Sequence, residues 1–170
     1  VEISHNFFNG ADADNQPACV TVCGSGTNLG AAAGTRIQDN RFVSGGSSIN
    51  LYNTQGNYDI SQNTFLKVGA GLRKSGSATG EFCIRLYYVA ASKSSGQGAN
   101  GRIHNNVFDG CKGQSSKYAL IRIFSGDTNE TVYQPQNAKL AIMYNTFKNK
   151  TKTEGTYNYL VYANQDHTTT

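Results

Sequence analysis

Five times along the chain an Ile is followed three residues later by Asn and five residues later by Phe. The sets are Ile3, Asn6, Phe8; Ile37, Asn40, Phe42; Ile60, Asn63, Phe65; Ile103, Asn106, Phe108; and Ile142, Asn145, Phe147. Ile and Phe favour strands, and an apolar residue on each side of a polar corner suits two short strands with inward-facing side chains. Asn tolerates the left-handed conformation that such a corner needs, so it is the expected site of the turn. Its side-chain amide can also bond to the equivalent Asn in a repeat above or below, forming a ladder.

A second class of strand follows most of these sets. Val20 and Val22, Ile49 and Leu51, Ile84 and Leu86, and Ile121 and Ile123 alternate with other residues, as half-buried strands require. A fifth segment, Tyr159–Tyr162, has no unique register in the sequence. With the aliphatics inward, Thr21, Asn50, Arg85 and Arg122 form one outward column, and Cys23, Tyr52, Tyr87 and Phe124 form the next. The ladder asparagines are separated by 34, 23, 43 and 39 residues. That irregularity excludes a helical solenoid of fixed period and fits coils of about 22 residues carrying inserted loops. The predicted architecture is all-β, a right-handed parallel β-helix of about five coils in a single domain, residues 1–170. The coils run over 1–34, 35–57, 58–100, 101–138 and 139–170. The long connections within them are rich in Gly, Ser, Asn and Ala, and such loops commonly carry binding functions.

Composition agrees. Charged residues make up only 15% of the 170 and apolar residues 38%, too little charge for a disordered tail and too little apolar content for a helical bundle. A net charge of +4 permits an acidic partner, but no basic run points to nucleic acid. No stretch approaches about 18 consecutive apolar residues, so no membrane-spanning helix is expected. The chain starts at Val1 inside a repeat, without a signal-peptide pattern or a capping helix, and reads as a mature product or a piece of a longer chain. A bare coil edge recruits other strands, so self-stacking or homo-oligomerisation through the ends is a further expectation.

Cys19, Cys23, Cys83 and Cys111 make no CxxC pair or Cys/His cluster, which argues against zinc. Along one strand Cys19 and Cys23 would lie about 13 Å apart, beyond the reach of a disulfide. Cys83 and Cys111 fall in neighbouring repeats, where they either pair or remain buried thiols.

From about residue 35 to 150 the sequence resembles the polysaccharide lyases of family 6, which include chondroitinase B and alginate lyases. The run begins at Ile60-Ser-Gln-Asn-Thr-Phe65, continues through Cys83-Ile84-Arg85-Leu86 and Ile103-His-Asn-Asn-Val-Phe-Asp-Gly110, and closes with Asn137–Ile142 and Asn145-Thr-Phe147. The resemblance implies a parallel β-helix acting on acidic polysaccharides by β-elimination, with a Lys base, an Arg-His pair at a strand end and an acidic calcium cluster. Here the strand at 18–23 reads Ala-Cys-Val-Thr-Val-Cys, and the Arg-His position falls at Tyr52-Asn53. The family's catalytic parts are therefore absent from the matching positions, and its activity does not carry over.

β-Elimination beside a carboxylate needs a base and a cation that stabilises the enolate. Arg73 and Lys74, at the end of a Gly-rich turn, and Arg85 are the candidates if catalytic groups have moved. Arg85 and Arg122, roughly 5 Å apart on adjacent coils, suit carboxylate or sulfate recognition. Tyr52, Tyr87 and Phe124 would provide an apolar platform for a sugar ring. No cofactor is expected. Calcium enters only through Asp12, Asp14 and Asn15, a pattern that turns also use. His5 and His104 each follow closely on a repeat Ile and read as one repeat position with a structural or surface role, while His167 lies in a polar tail. Asn129-Glu-Thr131 and Asn149-Lys-Thr151 match the N-glycosylation acceptor pattern. The leading expectation is a secreted or cell-surface β-helix that contacts an anionic polysaccharide without the usual catalytic residues. The alternatives are an active lyase with relocated groups and a structural filament or spike module.

Overall fold

The structure is a computed structural model that describes residues 1–10, 18–23, 34–55, 57–69, 82–90, 100–111, 119–124, 140–149 and 159–164. Every regular element in these residues is a strand. The first coil comprises β1 (Glu2–Ser4), β2 (Phe7–Asn9) and β3 (Val20–Cys23). The second comprises β4 (Thr35–Gln38), β5 (Arg41–Val43) and β6 (Ser47–Gln55), and the third β7 (Tyr58–Ser61), β8 (Thr64–Leu66) and β9 (Phe82–Ala90). The fourth holds β10 (Gly101–His104), β11 (Val107–Asp109) and β12 (Ala119–Phe124), and the fifth β13 (Leu140–Met143), β14 (Thr146–Lys148) and β15 (Tyr159–Asn164). Among the described residues no helix is long and apolar enough to cross a membrane.

Each strand pairs in parallel with its equivalent one coil away, giving three five-stranded sheets: β1-β4-β7-β10-β13 (sheet A), β2-β5-β8-β11-β14 (sheet B) and β3-β6-β9-β12-β15 (sheet C). This is the five-coil parallel β-helix expected from the repeat. The strands of sheet A open within one residue of where the sequence divides the coils.

The registers stack like on like. Ile3, Ile37, Ile60, Ile103 and Ile142 form one column of sheet A. Phe8, Phe42, Phe65, Phe108 and Phe147 form a column of sheet B, their rings stacked with centroids 4.7 to 5.1 Å apart and planes within 9°. That separation matches the interstrand distance of about 4.8 Å, so the register of the backbone imposes the ring stack. Sheet C contributes Ile49, Ile84 and Ile121 in one column and Leu51 and Leu86 in the next, all buried. It also settles the fifth strand, aligning Val161 with Ile121 and Ala163 with Ile123. In the central coils burial is nearly complete, and each buried Ile or Phe contributes about 1.5–3 kcal/mol.

At the corner between sheets A and B stands the asparagine ladder. Asn6, Asn40, Asn63 and Asn106 each donate from the side-chain amide to Oδ1 of the next asparagine, at 3.1, 3.1, 3.1 and 3.0 Å. The backbone N–H of each donates to the same oxygen at 2.9 to 3.0 Å. The second amide hydrogen turns back: Asn40, Asn63, Asn106 and Asn145 donate to the carbonyls of Ile3, Ile37, Ile60 and Ile103. A buried side chain thereby satisfies polar groups on both neighbouring coils.

One expectation is corrected here. The left-handed residue of this corner is not the ladder Asn but the residue before it: His5, Asp39, Gln62, Asn105 and Tyr144, with φ of 54° to 58°. The ladder Asn must aim its N–H and its side chain at the next coil, so the preceding residue takes the reversal. These five side chains are all exposed, so the core does not constrain their identities.

Three substitutions test the corner. Asn63 is fully buried, and Asn63→Ala strands polar groups on the coils to either side, lowering stability by about 3 kcal/mol and the Tm by roughly 10 °C. Asn63→Asp loses two donors and buries a carboxyl whose folded pKa is raised. Its deficit is therefore full above that raised pKa and shrinks as pH falls through it toward the usual carboxylate range, which melting at several pH values would show. Conversely, Tyr144 holds φ 54° while 80% exposed, so Tyr144→Asn relieves backbone strain without losing packing and raises stability by about 1 kcal/mol in the same assay.

Candidate functional site

Sheet C carries the residues singled out from the sequence. Its register aligns Thr21 with Asn50, Asn50 with Arg85 and Arg85 with Arg122. The two arginines are nearest neighbours on adjacent coils, both half-buried. Arg85 is held from two sides: its Nε donates to Asn50 Oδ1 at 2.9 Å, and its guanidinium lies 5.0 Å from the centre of the Phe82 ring. A guanidinium fixed in this way loses less freedom when it binds an anion. The backbone of the next column is also in register, Cys23 with Tyr52, Tyr52 with Tyr87 and Tyr87 with Phe124. The side chains of that column lie outside the described residues, as do Arg73, Lys74, Asp12, Asp14, Asn15, Asn129 and His167. No group of three or more His, Cys, Asp or Glu side chains able to hold a metal occurs among the described residues.

The histidines do not share a repeat position. His104 aligns with Ser61, and through it with Gln38 and Ser4, one residue earlier than His5. The difference matters because it puts His104 on the outer face of a strand and His5 at the corner. His5 Nε2 meets Asp39 at 3.1 Å, with both groups largely in solvent. His104 is more enclosed. Asn105 Nδ2 lies 3.1 Å from its Nδ1, which makes Nδ1 the acceptor and leaves Nε2–H to donate to Asp59 Oδ2 at 3.3 Å.

Asp59 belongs to a feature that sequence reasoning missed. On the outer face of sheet A, Glu2, Arg36, Asp59, Arg102 and Ala141 form one in-register column. Together with Asn57 and Asn100 it borders a groove of about 1080 Å³. The signal was present, since each of these residues immediately precedes a repeat Ile, but only the register turns scattered positions into one row. Asn57 and Asn100 tie adjacent coils at its edge, with the Asn100 N–H donating to Asn57 Oδ1 at 3.0 Å. Gly101 makes room for the buried Tyr58 ring, because a Cβ at 101 would sit 2.0 Å from Tyr58 Cζ. Burial pushes the Tyr58 hydroxyl far above its usual range.

Cys19, Cys83 and Cys111 are free thiols, the last two buried. Cys83 and Cys111 share a hydrogen bond, and burial pushes the Cys83 thiol well up. Cys111 Sγ also donates to the Phe65 carbonyl at 3.3 Å. Asn149, the acceptor position of one glycosylation pattern, donates its amide to Asp109 at 2.8 Å.

No family model, curated protein or solved structure matches this chain.

The crowding at Gly101 leads to a direct test. Gly101→Ala must displace the Tyr58 ring from the core, lowering stability by about 1–3 kcal/mol. Thermal melting with Tyr fluorescence checks this, and Tyr58→Ala in the same background should relieve the clash while leaving its own cavity.

Proposed function

We propose that this protein is an extracellular β-helix that holds an anionic polysaccharide along the outer face of sheet C. Arg85 and Arg122 are its carboxylate or sulfate contacts, and Tyr52, Tyr87 and Phe124 its sugar platform. The observation that carries the reading is the register of β9 with β12, which sets two arginines side by side while Asn50 and Phe82 hold one of them in place. Arginine pairs with carboxylate and sulfate through two parallel hydrogen bonds, which a flexible lysine does not reproduce. The sequence resemblance to family 6 polysaccharide lyases supports the same ligand class. The lack of that family's Lys and Arg-His at the matching positions supports binding without cleavage.

The test is calorimetry of the whole chain with alginate and chondroitin sulfate, beside an ultraviolet assay for unsaturated product. Expected is salt-sensitive binding with no product, weakened at least about tenfold by Arg85→Ala or Arg122→Ala and only partly restored by Arg85→Lys. Unchanged affinity in both alanine variants would overturn the site, and accumulation of unsaturated product would overturn the non-catalytic assignment.

A further inference from the structure

The groove on sheet A is chemically unlike the column on sheet C. Glu2, Arg36, Asp59 and Arg102 alternate in sign across four adjacent strands, so each arginine has a carboxylate one strand away. Opposite charges opposed in this way ordinarily pair across strands. Here they do not. Asp59 is drawn along the sheet to His104, whose Nε2 lies 3.3 Å from each carboxylate oxygen. Among the described residues no ion pair joins Asp59 or Glu2 to Arg36 or Arg102. Both arginines are exposed, and both border the groove. Asp59 Oδ1 is buried, and although it is close to His104 it has no hydrogen bond of acceptable geometry.

The half-exposed Asp59 carboxylate thus lies on the strand between two exposed cations. Arg36 and Arg102 are two strands apart, about 10 Å at the usual interstrand spacing. We propose that this groove binds a linear acidic oligosaccharide laid parallel to the β-helix axis. Acid groups on its first and third residues meet Arg102 and Arg36, and a hydroxyl of the middle residue donates to the accessible oxygen of Asp59, Oδ2, beside His104. Fork-shaped guanidinium contacts at both ends would fix the orientation, and the central carboxylate would select a hydroxyl donor over a third acid group near it. The ligand class rests on the anionic-glycan reading above, whereas the location of the groove does not. The site is separate from Arg85 and Arg122, which belong to another sheet.

Titration of the full chain with trimannuronate and with the mannuronate monomer tests the proposal. It compares wild type, Arg36→Ala, Arg102→Ala, the double variant of these two, and Arg85→Ala/Arg122→Ala, with thermal melting to confirm that each folds. Expected, in the Arg85→Ala/Arg122→Ala background that removes the sheet C contacts, is trisaccharide binding that falls about tenfold with either Arg36→Ala or Arg102→Ala and exceeds binding of the monomer by a similar factor. Loss of trisaccharide binding only in the Arg85/Arg122 variant would overturn the groove and leave the sheet C reading standing. Loss only in the Arg36/Arg102 variants, with polymer binding also insensitive to Arg85 and Arg122, would uphold the groove and remove the sheet C site. Equal affinity for monomer and trisaccharide would overturn the two-point geometry.

Discussion

A buried asparagine side chain that serves the coils on both sides of it is the constraint on which this molecule is organised. Each central ladder residue accepts from one neighbour and donates to the other, and it also closes on the Ile carbonyl of the preceding coil. In a low-dielectric interior such a chain of bonds is favourable only when every member is satisfied, and a half-satisfied network costs more than an apolar core. The ladder therefore tolerates no slip. A shift of one residue in any coil would leave amides unpaired and turn every Ile and Phe from the core toward solvent.

Register of this strictness has consequences far from the ladder. Because Asn stacks on Asn, Phe stacks on Phe one strand later, and the ring separation follows from the backbone spacing. Because both are locked, the outward residues also fall into columns, and the chemistry of the surface becomes a matter of which residue happens to share a row. Arg85 beside Arg122 on sheet C and Arg36, Asp59 and Arg102 on sheet A are products of the same rule. The columns of such a solenoid repeat at the interstrand distance, so its surface groups are spaced by the backbone and not by the loops.

The two faces differ in how their charges are managed. On sheet C the like charges of Arg85 and Arg122 stand in adjacent register, a destabilising arrangement that Asn50 and the Phe82 ring offset for Arg85. On sheet A the signs alternate and would be expected to cancel by pairing, yet the imidazole of His104 takes the carboxylate that lies between the arginines. On sheet C an amide oxygen and an aromatic ring meet Arg85, and on sheet A an imidazole meets the carboxylate. Surface ion pairs contribute little to stability, so the fold loses little when the carboxylate on sheet A turns to His104.

The sequence by itself determined the architecture. Five copies of Ile, Asn and Phe at constant internal spacing and variable separation leave few folds that can bury all of them, and the parallel coils, the ladder, the ring stack and the column containing Arg85 and Arg122 all follow from that pattern. It did not determine which corner residue takes the left-handed conformation, because His5, Asp39, Gln62, Asn105 and Tyr144 have only their exposure in common. Nor could it align Val161 with Ile121, since Tyr159–Tyr162 offers apolar residues on both faces. The row Glu2, Arg36, Asp59 and Arg102 was visible as letters before each Ile, but the diversion of Asp59 to His104 was not. Local pattern reports which way a side chain faces. Which neighbour it reaches depends on the lateral spacing and twist of strands many residues apart, and those exist only once the coils are stacked.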